Sequence, residues 1–234
     1  NGLPTSRLNN SAASGVKSSH NHSNMRKQLM LALLLLLGLA KGFAQEPKPV
    51  EGRSNYGAVM FVAPEPAIMI ATYDKDNNPD VMMAAWGCQS DGDKVMIHLS
   101  DHQTTDNLRL KKAFTMSFAT KATIAQSDYV GEVSAREVKD KVARVGFTQH
   151  KSPNVDAPII DQYPVALECV VESFNDGVLI GRVVNTSAKS DVVDAEGNID
   201  LGKMEAVAFD PINNTYRVIG DVVGHAWKSG DIYK

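Results

Sequence analysis

Cysteine is nearly absent: the 234 residues hold two, Cys88 and Cys169. Two thiols are too few to ligate a structural zinc by themselves. Each stands in an apolar, β-prone stretch, where a small buried hydrophobe is expected, although in an exported chain the pair could close one disulfide. An excess of one charge sign is missing as well, since the formal net charge is −3 and both signs are interspersed. With no Lys/Arg run and no basic stripe, the electrostatic footprint of a nucleic-acid binder is excluded. The usual catalytic signatures are also missing: no G-x-S-x-G elbow, H-E-x-x-H pair, P-loop or G-x-G-x-x-G fingerprint occurs. His98, His102, His150 and His225 have no ligand spacing, so no metal is expected, and no pair of carboxylates stands out for acid–base work. A hydrolase with its own nucleophile is disfavoured. A chain that borrows its chemistry from an organic cofactor fits this inventory better.

One long hydrophobic run is present, LMLALLLLLGLA at residues 29–40. Arg26 and Lys27 precede it, and Gly42-Phe43-Ala44 follow with small residues where a signal peptidase reads. This is the three-part pattern of a secretory signal peptide, and the run is short for a membrane span. Residues 25–44 are therefore expected to be a signal peptide, with the exported mature chain starting near Gln45 or Glu46 and keeping no stable membrane anchor. An uncleaved anchor is the alternative. Residues 1–24, rich in Ser, Asn and Gly, bury nothing and are expected to be a disordered leader, not native to a protein that starts at Met25. Residues 45–57 read as a polar lead-in.

Residues 58–234 read as one mainly β domain. Apolar, β-prone runs occupy residues 58–63 (AVMFVA), 67–73, 81–86, 94–100, 113–119, 164–174, 178–185, 207–210 and 215–219. The turn Asn175-Asp176-Gly177 between two of them is a hairpin signal. A short helix is expected within residues 101–112, capped by hydroxyls. Ser134 and Glu137 match a capping box, followed by Val138, Val142 and Val145 on one helical face and a stop at Gly146. Many short strands, few helices and no βαβ alternation point to a closed or nearly closed antiparallel barrel.

Three stretches in order resemble the flavin reductase-like, or flavoredoxin-like, family. They are NPDVMMAAWG from Asn78, IHLSDHQTTDNL from Ile97 and DYVGEVSAREVKDK from Asp128. Residues 156–160, 164–169 and 179–184 agree with its later segments, so the resemblance spans about residues 66–228. It implies an FMN-binding split β-barrel with a few short helices, a homodimer, and FMN near the dimer interface. Carried onto this chain, it implies that Ser100, His102, Thr104 and Thr105 offer phosphate donors where a helix starts, with positive dipole. Asn107 would reach a flavin carbonyl or the ribityl chain. Ala84, Ala85 and Gly87 would let a flat ring approach the backbone, and Trp86 would stack or wall it. Gly131 and Ser134 would close the other side, and Lys141 is the candidate cation. Each residue also has a plain structural reading: Thr104, Thr105 and Ser134 as helix caps, Trp86 as core, Lys141 as a solvated helix residue. The chain departs from the family in lacking a hydroxyl near Ala84 and Ala85, and in having His102 near where an Arg is common.

The function so implied is an FMN-dependent oxidoreductase or electron carrier. Its electrons would come from an unknown redox partner or from NAD(P)H, with the partner ranked level because NAD(P)H is scarce outside the cytoplasm. The alternative is a non-catalytic flavin- or ligand-binding module. A pyridoxamine-phosphate-oxidase-type barrel is disfavoured, since the stretch from Ser100 to Asn107 lacks that fold's Arg/Lys cluster.

Overall fold

The computed structural model describes residues 48–234. The chain divides into two units, Asn1–Met60 and Phe61–Lys234. The expected leader, signal peptide and start of the lead-in lie outside the described residues. Residues 48–60 are exposed and carry no helix or strand. The expected strand at residues 58–63 does not form. A β-prone run becomes a strand only when another strand takes its backbone groups, and this one has no partner.

The second unit is built on one seven-stranded antiparallel sheet. Its strands are β2 (Ile68–Tyr73), β3 (Pro79–Ala84), β4 (Gly87–Asp91), β5 (Lys94–His98), β6 (Ala113–Phe118), β9 (Val165–Asn175) and β10 (Val178–Ala188), in the order β3-β2-β6-β9-β10-β5-β4. The two edge strands, β3 and β4, follow one another in sequence, joined only by Ala85 and Trp86. Such a link forces the sheet to curl until its edges meet at one end. Gly87 shows the closure: a Cβ there would stand 2.7 Å from Cδ1 of Ile68 on β2 and 3.1 Å from Cγ1 of Ile97 on β5. The result is a mainly β, split barrel, as the strand pattern leads one to expect.

The core follows from this curl. Inside the barrel lie Ile68, Ile70, Val95, Ile97, Phe114, Met116, Cys169 and Leu179. On the outer face of β2 and β3, Met69, Ala71 and Val81 pack with Val130, Val142, Phe147 and Tyr163. With both faces covered, β2 reads as a continuous apolar run. The long hairpin of β9 and β10 turns at Asp176 and Gly177, whose φ values of 50° and 81° suit a tight right-twisting turn.

Four short helices cover this outer face and the barrel ends among the described residues: α1 (Gln103–Lys111), α2 (Ile124–Glu132), α3 (Lys141–Arg144) and α4 (Leu201–Met204). Helix α2 was not legible in the sequence. The helix expected after Ser134 is largely absent, since residues 134–140 turn irregularly and only Lys141–Arg144 is helical. Its physical reason is Lys141, whose buried side chain is pinned below the segment and bends the chain inward. Small strands complete the unit. β1 (Glu65–Pro66), β11 (Val207–Asp210) and β12 (Thr215–Val218) form one sheet, and β7 (Gln149–Lys151) pairs β8 (Pro158–Ile160).

Candidate functional site

Helix α1 begins at His102, whose extended backbone (φ −141°, ψ 168°) marks it as the N-cap. Thr105 Oγ1 accepts from the backbone N–H of His102 at 3.1 Å and donates to its carbonyl at 2.8 Å. The N–H groups of Gln103 and Thr104 bond to no described residue. A helix start leaves such donors open by geometry, and the dipole there favours an anion. They border a crevice of about 40 Å³ lined by Asp80, Met82, His102, Gln103, Thr104, Gly131, Glu132, Val133, Ser134, Ala135 and Lys141. Five of the residues expected from the sequence, His102, Thr104, Gly131, Ser134 and Lys141, thus come together.

The floor of the crevice is a buried polar network. Lys141 and Asp80 are each 3% exposed at the side chain, with Nζ 2.9 Å from Oδ1. The same ammonium donates to the carbonyls of Val130 and Val133, at 2.9 Å each. These carbonyls end α2, where a cation complements the dipole. Thr104 Oγ1 donates to Asp80 Oδ2 at 2.6 Å. Lys141 is therefore not a solvated helix residue. Its ammonium is held inside the protein by two carbonyls and the ion pair with Asp80, and it ties β3, α1 and the end of α2 into one frame. Asp80, which carries this frame, is not among the residues expected from the sequence. The signal that could have found it is an Asp opening an otherwise apolar strand.

Ser134 Oγ accepts from the N–H of Arg136 at 3.2 Å, leaving its own proton free of a described partner. Gly131 lies in α2 against β3, where an added Cβ would stand 2.8 Å from Cβ of Met83. The other expected residues lie apart from the crevice. Asn107 is buried, donating Nδ2 to Thr72 at 3.0 Å and accepting from Gln103 at 3.0 Å. Thr105 is buried and Ser100 is exposed.

Ala84, Ala85, Trp86 and Gly87 make the link between the barrel edges. Trp86 is 61% exposed, so the core reading of it is wrong. Its ring lies beside His98, centroids 6.1 Å apart. The N–H of Gly87 is taken by the carbonyl of Ala85 at 3.0 Å, whereas the N–H groups of Ala85 and Trp86 bond to no described residue. Cys88, next in line, is exposed instead of buried, and both cysteines are free.

The donor set fits a phosphorylated, flat cofactor in two respects. An open helix start borders a crevice the size of one oxyanion group. The edge link, with its exposed indole and open N–H groups, starts where β3 ends at Ala84, four residues and about 13 Å from Asp80 at strand rise.

The family model for the flavin reductase like domain matches residues 60–203. The chain belongs to the flavin reductase-like family. Among solved structures, the flavoredoxin of Desulfovibrio vulgaris (Miyazaki F) is similar at 28% identity and a TM-score of 0.72, over 76% of this chain and 99% of that one. A flavoredoxin from Methanosarcina acetivorans shares 19% identity and a TM-score of 0.68, over 82% of this chain and all of that one (100%). An FMN-binding domain of a flavin reductases-like enzyme from Shewanella baltica shares 17% identity and a TM-score of 0.62, over 69% of this chain and 89% of that one. These last two share the split-barrel fold. No curated protein matches the chain.

Proposed function

We propose that the protein binds FMN and serves as an exported flavin-dependent oxidoreductase or electron carrier. Family membership and the FMN-binding neighbour support the cofactor. The observation that carries the reading is the open start of α1: the free N–H groups of Gln103 and Thr104, with Ser134 opposite, would hold the phosphate. The Ala85 and Trp86 N–H groups and the indole would receive the flat head. When bound, FMN supplies the electron transfer. The chain's residues bind, orient and shield it, and no side chain in the crevice is placed to act as a nucleophile. Side-chain donors are few at the edge link, which supports the second reading, a binding module without turnover.

Export keeps an electron-donating protein partner level with NAD(P)H as the source of electrons. A second copy of the chain is the expected oligomeric partner. The exposed apolar side chains of Val223, Trp227 and Tyr233 offer it surface to cover.

The test is an absorbance spectrum of the purified mature domain, with and without added FMN. A yellow protein that bleaches with dithionite or NADPH supports the redox reading. One that is yellow but cannot be reduced supports the binding module, and one that takes up no FMN overturns both. Light scattering in solution reports the dimer, and N-terminal sequencing of protein recovered outside the cytoplasm reports cleavage near Gln45.

A further inference from the structure

Resting on the FMN reading, we propose that Asp80 sets the preference of the crevice for a phosphorylated over an unphosphorylated flavin. The crevice contains a cation, yet Lys141 is paired with Asp80 at 2.9 Å and both side chains are 3% exposed. Thr104 borders the same crevice, yet its hydroxyl proton is directed to Asp80 at 2.6 Å. One carboxylate therefore withholds two donors from any anion bound at the start of α1. It leaves recognition to the N–H groups of Gln103 and Thr104 and to Ser134. The pair is nearly neutral seen from the crevice, and an ion inside a protein is poorly screened. Removing either partner should change the field at the phosphate strongly.

The signs differ for the two partners. In Asp80→Asn the amide oxygen can keep facing Lys141 while its NH₂ faces Thr104. The Thr104 hydroxyl then accepts, its proton becomes available to the crevice, and the charge of Lys141 is uncompensated. Both changes favour an anion. Lys141→Met leaves Asp80 as an unpaired carboxylate, which disfavours one. Asp80→Asn with Lys141→Met removes both charges. Replacing a buried ion pair by neutral groups is often tolerated.

The readout is the ratio of FMN to riboflavin affinity, measured by quenching of flavin fluorescence. Riboflavin lacks the phosphate and reports whether the rest of the site is intact. Relative to the unaltered protein, D80N should raise the ratio about tenfold, K141M should lower it about tenfold, and the double variant should return close to the start. If D80N alone does not fold, the double variant compared with K141M reads the same charge. A D80N ratio equal to or below that of the unaltered protein, with riboflavin binding retained, overturns the proposal and leaves the FMN reading standing. An unaltered protein that binds neither flavin overturns the FMN reading and the proposal with it.

Discussion

Gly181 of β10 lies under the ring of Phe114 of β6 inside the barrel. A Cβ at Gly181 would stand 2.8 Å from Cε1 of Phe114, closer still to Cζ, and 3.3 Å from Cγ2 of Val95. Phe114 is fully buried at 0% exposure, so its ring has nowhere to turn. The glycine is a shape requirement of a small barrel that holds a large side chain at its centre. Gly181→Ala is expected to destabilise the domain by about 1–3 kcal/mol, the usual cost of overpacking. Urea unfolding checks it. An unchanged midpoint would mean that Phe114 moves freely.

The two thiols should differ in reactivity. Cys88 is exposed on an edge strand, and Cys169 is fully buried in the barrel, where burial first and then the Glu168 charge push its thiol up to about 12. The thiolate is the reactive form. Ellman's reagent at pH 8 is expected to titrate one thiol in the folded domain and both after denaturation. Cys88→Ser should abolish the native signal. Two rapidly reacting thiols in the folded state would contradict the burial of Cys169.

Glu168 is a buried carboxylate without a cation beside it. Burial pushes its pKa up, but hydrogen bonds from Ser152, Asn185 and Asn154 outweigh this and hold it below the ordinary value. They also fasten the loop at residues 152–155 to β9 and β10. A group whose pKa is depressed on folding contributes stability above its unfolded value, near 4.3, and loses that contribution as pH falls through the lower folded value. The urea midpoint is therefore expected to fall from pH 5 towards pH 3. Glu168→Gln should be less stable at pH 7 and should show a shallower acid slope. Parallel slopes in the two proteins would remove Glu168 from the acid response.

The fold was largely legible where local sequence carries its own instruction. The turn at Asp176 and Gly177 needs positive φ, and Asp-Gly supplies it. The alternation in β5 (KVMIH) shows one buried face. Legibility failed where tertiary partners decide. Residues 58–63 have strand composition but no strand to pair with. Edge strand β4 (GCQSD) is polar and owes its existence to β5. The capping box at Ser134 was real as a local turn, since Glu137 and Val138 donate to the Ser134 carbonyl at 3.1 and 2.9 Å. It was overridden by the burial of Lys141. The same residue limited the reading of the site. Lys141 and Thr104 were placed at the site by the resemblance to the family, but the direction of their donors depends on Asp80, more than twenty positions away. No local pattern announces that contact.

Gly131 tests which of two opposed effects governs α2. In an open helix, Gly→Ala stabilises by roughly 0.5–1 kcal/mol, because alanine has less backbone freedom to lose. At Gly131 the new methyl would meet Cβ of Met83 at 2.8 Å and its backbone N at 3.5 Å. These atoms belong to β3, whose register with β2 is fixed from Pro79 to Ala84, so the strand cannot give way alone. Overpacking costs about 1–3 kcal/mol, which exceeds the propensity gain. Gly131→Ala is therefore expected to lower stability, and the displacement of α2 should carry its terminal carbonyls away from Lys141. Hydrogen exchange would show this as faster exchange at residues 128–133 than in the unaltered domain. A Gly131→Ala domain that is more stable, with exchange at α2 slowed, would mean that helix propensity prevails and that α2 does not press on β3 at this point.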